Sequence, residues 1–283
     1  MTKCDPGHSL EEVRQMRLSA RALVAGGAAL VLGTAALGAT TGASATTAVR
    51  WAPAATATVH PGVLVTIAGV KCVAGYVMTD GQRVFIAVPA SCAGVDDGQA
   101  TDGCTAAQVP YGLKVSVQGA RYKGRLVYSS YTQMQLRGTT AVNKCANNAL
   151  VLIRLDDRDI KRTNPSLPAP TGGPTGLATT SPAQGDQLTA YVNSAPTQGL
   201  AMQTSAAGWA YSVEVGSAVD ATQLGSPVLT NGGRALGMVT LVPQIQGAPA
   251  TVSSLAKEIA FMQTVRGFGT VHLAKGTLRF TAA

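Results

Sequence analysis

Three histidines, five cysteines and a scatter of serines are the residues of this chain that could carry nucleophilic or metal chemistry, and their positions are restrictive. The histidines are His8, His60 and His272, so no imidazole lies anywhere from residue 61 to residue 271. A serine hydroxyl attacks a carbonyl only when a base takes its proton near neutral pH, and histidine is the usual base. Ser226, Ser217 and Ser212 are nucleophile candidates by type, yet no histidine is in reach of them. A Ser–Lys pair would avoid that need. It requires a desolvated lysine, however, and Lys71, Lys114, Lys123, Lys144 and Lys257 stand in polar or turn contexts.

The cysteines divide between two places. Cys4 precedes an apolar export segment, which leaves Cys72, Cys92, Cys104 and Cys145 in the exported part. Four cysteines in an oxidising compartment suggest two disulfides, with three possible pairings. Cys72–Cys92 with Cys104–Cys145 is preferred because each joins neighbouring segments. Zinc is not expected, since there is no Cys-x-x-Cys pair and no histidine among them. Asp156, Asp157 and Asp159 could in principle hold calcium, but Arg154, Arg158, Lys161 and Arg162 interrupt them, so a solvated charged turn is the expected reading. No metal and no cofactor is expected.

The elements that would position these residues are short. Of 283 residues 46% are hydrophobic and 13% charged, which excludes a wholly disordered chain. The 32 glycines and 14 prolines favour many turns between strands, hence an all-β fold. Apolar stretches at 63–67, 76–78, 84–88, 113–117 and 149–155 predict a first set of strands, with Thr79-Asp80-Gly81 as a hairpin turn. Residues 164–186 hold Pro165, Pro168, Pro170, Pro174 and Pro182 without a hydrophobic period and predict an interlobe linker. A second set of strands comes next at 188–192, 210–215, 227–229 and 236–241, with a turn at Asn231-Gly232-Gly233. Val252, Leu255, Ile259 and Met262 then predict one amphipathic helix, capped at Thr251, ended at Gly267 and packed on the second lobe.

The amino-terminal end is an export signal. Arg14, Arg17 and Arg21 flank the uncharged stretch 22–39, which is long for a signal-peptide core and short for a spanning helix of about 20 residues. Ala43-Ser44-Ala45 favours cleavage, the leader 1–21 favours retention as an anchor, and both remain open. Either way, the chain beyond the apolar stretch is sent outward. The formal charge of +8 comes from scattered lysines and arginines with no basic run, so nucleic-acid binding is not expected.

Three stretches, in order, resemble the landmark segments of trypsin- and chymotrypsin-like serine proteases, the secreted bacterial branch especially. Cys72-Val73-Ala74-Gly75-Tyr76, the hairpin and Val88-Pro89-Ala90-Ser91-Cys92 resemble the strand and the Thr-Ala-Ala-His-Cys segment. Asn147-Asn148-Ala149-Leu150-Val151 resembles Asp-x-Ala-Leu-Val. Thr222-Gln223-Leu224-Gly225-Ser226-Pro227-Val228, followed by Leu236-Gly237-Met238-Val239, resembles the nucleophile segment and the strand after it. The resemblance covers roughly residues 60–283. It implies two six-stranded-type antiparallel β-barrels, chymotrypsin-like, with a C-terminal helix, and a strand at 278–280 that closes the second barrel.

On this resemblance the triad positions hold Ser91, Asn147 and Leu224, where the family has histidine, aspartate and serine. Thr222 and Gly225 are the remnant of the oxyanion loop. Leu224 has no attacking atom, and Ser91 cannot serve as a base, although Asn147 could hydrogen-bond it. The domains expected are a cytoplasmic leader 1–21, a signal or membrane segment 22–39, an Ala/Thr-rich tether 40–57, a first barrel 58–163, the linker 164–186 and a second barrel with terminal helix 187–283. The function expected is that of a pseudoprotease, secreted or anchored in the cell membrane. Its partner would be a peptide, a protein or a cell-wall component in the interbarrel cleft, with membrane contact through 22–39 if the leader is uncleaved. The alternative is an active serine-type peptidase with a non-standard centre.

Overall fold

The computed structural model describes residues 49–95, 101–245 and 247–283. The leader, the apolar stretch 22–39, Cys4 and His8 lie outside the described residues. Among the described residues no helix is long and apolar enough to cross a membrane.

The first sheet is built from β1 (Leu64–Ile67), β2 (Val70–Val73), β3 (Tyr76–Thr79), β4 (Val84–Pro89), β5 (Lys114–Val117), β6 (Gly124–Ser129) and β7 (Leu150–Arg154). Two short helices, α1 (Ser130–Leu136) and α2 (Val142–Asn147), separate β6 from β7. The second lobe adds β8 (Gly176–Leu177), β9 (Gln187–Val192), β10 (Ala195–Thr204), β11 (Ala210–Val215), β12 (Pro227–Thr230), β13 (Arg234–Leu241) and β14 (Ala250–Ser253). The helix α3 (Leu255–Gln263) and the short strand β15 (His272–Leu273) complete the chain.

The first sheet runs β15-β3-β4-β7-β6-β5-β1-β2 and forms a half-barrel. β2 at one end and β3, which lies next to the other end, are consecutive in the chain. Ala74 N–H donates to the Val63 carbonyl and Gly75 N–H to the Ala87 carbonyl, so the chain turns from the edge of β1 to the edge of β4 within two residues. The second sheet runs β12-β9-β10-β11-β14-β13, and β12 pairs back onto β13 to close a six-stranded antiparallel barrel. Together they make the chymotrypsin-like two-barrel fold.

Local chemistry explains the strands that periodicity found. Val115 and Val117 point into the barrel while Lys114 and Ser116 are exposed, the alternation of a strand with one wet face. At the β3–β4 hairpin, Asp80 Oδ1 accepts the N–H groups of Gln82 and Arg83, and Gly81 takes φ +93°. The β12–β13 turn ends on Gly233, where a Cβ would lie 2.4 Å from the Phe280 ring.

Several elements differ from expectation. Val252 belongs to β14 rather than to the terminal helix, which starts after Ser254 and ends at Gln263, before Gly267. The three-residue spacing of Val252 and Leu255 suits a helix, but the ladder with β11 captures Val252 opposite Tyr211. The helix also packs on more than the second lobe. Leu255, Ile259 and Met262 share a cluster with Tyr76, Phe85 and Leu152 of the first sheet and Met238 of β13. Each such burial contributes about 1.5–3 kcal/mol. Residues 278–280 form no strand. Instead β15 pairs with β3, opposite Thr79 and Met78, and Phe280 packs with Leu167, Tyr191 and Leu229. The carboxyl-terminal segment thus ties the first sheet to the linker region and to the second barrel.

Both disulfides are Cys72–Cys92 and Cys104–Cys145, with Cα separations of 6.2 and 5.1 Å. Asp102 lies near the second of them, but two sulfurs bonded to each other cannot hold a metal there. Paired cysteines are the chemistry of an oxidising, extracytoplasmic compartment. Replacing Cys72 and Cys92 together by alanine is expected to lower the unfolding free energy by about 3 kcal/mol. Urea denaturation checks this, and an unchanged midpoint would mean that the bond adds nothing.

Candidate functional site

Ser91 sits in a 3-10 turn, Ala90–Ala93, that follows β4 directly. Its neighbour Cys92 is bonded to Cys72 on β2, and Ala90 N–H donates to the Ala149 carbonyl at 2.8 Å. The turn is therefore pinned between β2 and the start of β7. Ser91 is buried, and its hydroxyl has no hydrogen-bond partner.

Asn147 ends α2, two residues before Ala149. Its side-chain amide donates to the Asn143 carbonyl at 3.0 Å, back along its own helix, rather than to Ser91. Asn148 is the asparagine that goes inward: it is fully buried, and neither side-chain polar atom has a partner.

Leu224 follows a second 3-10 turn, Ala221–Gln223. Its carbonyl accepts the Val73 N–H at 2.7 Å, and its half-buried side chain packs against the core cluster of the first barrel. Gly225 is required here. It takes φ +98°, and a Cβ would fall 2.0 Å from the Val73 carbonyl oxygen. The segments carrying Ser91, Asn147 and Leu224 thus converge on β2 and the start of β7 through backbone bonds, while no side-chain hydrogen bond joins the three residues to one another.

The loop around Thr222 uses its own N–H groups. Asp220 caps the turn: its Oδ1 accepts the Thr222 N–H at 2.8 Å and the Thr222 hydroxyl as well. Those bonds hold the Asp220 carboxyl below its usual range, the hydroxyl contributing most. Gln223 N–H donates to the Asp220 carbonyl, and Leu224 N–H reaches the Ala221 carbonyl at 3.4 Å. An oxyanion site needs free N–H groups aimed at a developing negative oxygen. Here the N–H groups of Thr222 and Leu224 are turned into the loop itself.

Gln223 is buried and acts as a hub. Its Oε1 accepts Asn193 N–H and the Ser226 hydroxyl, and its Nε2 donates to Asn193 Oδ1 and Thr222 Oγ1. Ser226 is thereby spent on an amide that cannot take its proton. His60 and His272 each have Nδ1 against a neighbouring backbone carbonyl, of Pro61 and Thr270. Lys71, Lys114 and Lys123 are exposed, and Lys144 and Lys257 half-buried beside Trp209, so no desolvated lysine base stands among them.

One group at this junction was missed by motif reading. Glu258 of α3 is fully buried, and its Oε1 accepts the Ala149 N–H at 3.0 Å while Oε2 has no hydrogen-bond partner. Burial pushes its carboxyl up to about 8, against the opposing influence of the Ser253 hydroxyl and the Ala149 N–H. Three phenols feel its charge, Tyr76 on β3, Tyr128 on β6 and Tyr131 on α1, all raised chiefly by their own burial. The signal in the sequence was its place three residues after Leu255, on the buried stripe of the helix. Asp220 carried a signal too, an Asp with Gln three residues later at a helical turn.

No family model and no curated protein matches the chain. Among solved structures it is similar to protease A of Thermobifida fusca, at 14% identity over 78% of this chain and 100% of that one, with TM-score 0.48. The chain resembles bacterial serine proteases. It is similar as well to a Cellulomonas bogoriensis chymotrypsin, at 12% identity over 76% of this chain and 98% of that one, with TM-score 0.47. An M. tuberculosis protease in its active form matches at 14% identity over 76% of this chain and 83% of that one, with TM-score 0.44. The two-barrel fold itself is established by the strand order and register of this chain.

Because the Glu258 carboxyl titrates higher folded than unfolded, its contribution to stability is full below about pH 4.5, declines as pH rises, and is lost by about 8. Glu258→Gln is expected to remove this decline, gaining about 3–5 kcal/mol over the wild type at pH 8 and nothing at pH 4. Parallel stability profiles for the two proteins across that interval would contradict the assignment.

Proposed function

We propose that this chain is a pseudoprotease: an exported protein with the protease fold that binds rather than cleaves. The observation that carries the reading is the loop 220–224: Leu224, which the family resemblance puts at the nucleophile position, packs its side chain on the first barrel, and the N–H groups of Thr222 and Gln223 are consumed by Asp220. The absence of histidine from 61 to 271 supports it independently. In serine proteases, loss of nucleophile or base alone costs about a million-fold in turnover. Fold by itself carries no activity.

In this reading the interbarrel groove takes a peptide, a protein or a cell-wall component. A groove of about 430 Å³ opens between Leu64 and Val73 of the first lobe and Tyr191, Asn193 and Thr222 of the second, and its size suits a short extended segment. The work is done in the cell envelope, with residues 22–39 either removed on export or kept as the membrane anchor.

A fluorophosphonate probe applied to the full chain is expected to label no serine, and a general protease substrate to remain uncut. Covalent labelling at any serine, Ser226 and Ser217 included, would sink this reading in favour of a serine-type peptidase with an unusual centre.

A further inference from the structure

The first barrel carries a basic groove on its outer face, and the interbarrel reading does not use it. Lys123 and Arg125 of the β5–β6 hairpin region, Arg154 at the end of β7, and Asp156, Asp157 and Arg158 beyond it line a depression of about 430 Å³. Four cations face two carboxylates there. The carboxylates are engaged: Asp156 holds Arg158 by two bonds of 2.8 and 2.9 Å, and Asp157 approaches Arg154 at 3.3 Å. Asp159 is buried and accepts the N–H groups of Arg121 and Tyr122, so it shapes the loop and does not reach the groove's cations. The aspartates therefore offer no cluster for a cation.

The register makes the arrangement unusual. Lys114 on β5 stands directly opposite Arg125 on β6, and Arg125 stands directly opposite Arg154 on β7. Residues opposed in this way share one face of the sheet, and like charges so placed destabilise it. Neither Lys114, Lys123 nor Arg125 has a carboxylate at ion-pair distance among the described residues. Three strands thus align three cations at steps of about 4.8 Å, one strand spacing. Such a row is costly without an anion and favourable with one.

We propose that this groove binds an extended polyanion bearing phosphate groups, with Arg125 and Arg154 of its lining as the reading row, Lys114 continuing that row on β5 beyond the lining, and Lys123 beside them. Two guanidinium groups on adjacent strands can close on different oxygens of one tetrahedral phosphate, whereas one guanidinium fork already uses both oxygens of a planar carboxylate. Arg158, stacked 3.4 Å over the Tyr122 ring, walls the groove and pairs with Asp156 through both carboxylate oxygens. The site is independent of the residues at the interbarrel cleft, so it stands or falls apart from the loss of catalysis.

The test uses the full chain in neutral detergent with linear polyphosphate as the probe and linear polyglutamate as the carboxylate comparison. Polyphosphate is expected to raise the thermal midpoint of the wild type. A Lys114→Gln/Arg125→Gln variant should bind at least about tenfold more weakly. A Lys71→Gln/Lys275→Gln variant, which loses the same charge elsewhere, should stay within about twofold of the wild type. The ligand-free midpoint of the first variant should equal or exceed that of the wild type, since it relieves opposed like charges. The proposal is overturned by any of four results: no binding to the wild type, equal loss in both variants, polyglutamate binding as tightly as polyphosphate, or a lowered ligand-free midpoint in the first variant.

Discussion

The Val73 amide donates across the junction of the two lobes to the Leu224 carbonyl at 2.7 Å, and Gly225 passes directly beneath the Val73 carbonyl. Much of the candidate site depends on this approach of two backbones. It sets where the 220–225 loop lies, it demands a glycine in a left-handed conformation, and it brings that loop beside the strand that holds Cys72. The disulfide from Cys72 to Cys92 then carries the constraint to the Ser91 turn. The bond from Ala90 to Ala149 passes it on to the start of β7.

With the backbone so fixed, the side chains decide what the junction can do. A nucleophilic centre requires a hydroxyl, a base and free N–H groups at one point. This junction has a buried Ser91 hydroxyl without a partner, a leucine packed on the core and a loop whose N–H groups bond within the loop, to Asp220 and to the Ala221 carbonyl. Its remaining ionisable group is Glu258, which burial holds largely protonated at neutral pH. A neutral carboxyl can be kept inside at modest cost, whereas an ionised one would need a partner that the surroundings do not offer. The carboxyl thus joins α3 to the first barrel through the Ala149 amide and adds no base to the site.

The carboxyl-terminal segment explains how two lobes keep one geometry. After α3 the chain crosses to pair with β3, and then its Phe280 ring enters a small cluster with Tyr191 and Leu229 of the second barrel. The linker is part of the same seam: Asn164 donates to the Ala52 carbonyl and to Thr277 Oγ1, and Gly173 N–H donates to the Leu278 carbonyl. A proline-rich stretch that looks like a loose connection in sequence is therefore packed on its neighbours over much of its length.

Taken alone, the sequence determined the all-β class, most core strands, both hairpin turns, the presence of four cysteines able to pair, and the lack of histidine between residues 61 and 271. These come from local periodicity, turn chemistry and residue type, which need no partner segment to be read. It did not reveal β2, β6, β10 or β14 as strands, because short segments with mixed polarity become strands only when a neighbour supplies the ladder. Nor could it say which of Asn147 and Asn148 turns inward, that Leu224 would lie on the first barrel, or that three cations far apart in the chain would share one row. Those outcomes are set by register and by long-range backbone hydrogen bonds, and a one-residue change in either reverses the direction of a side chain.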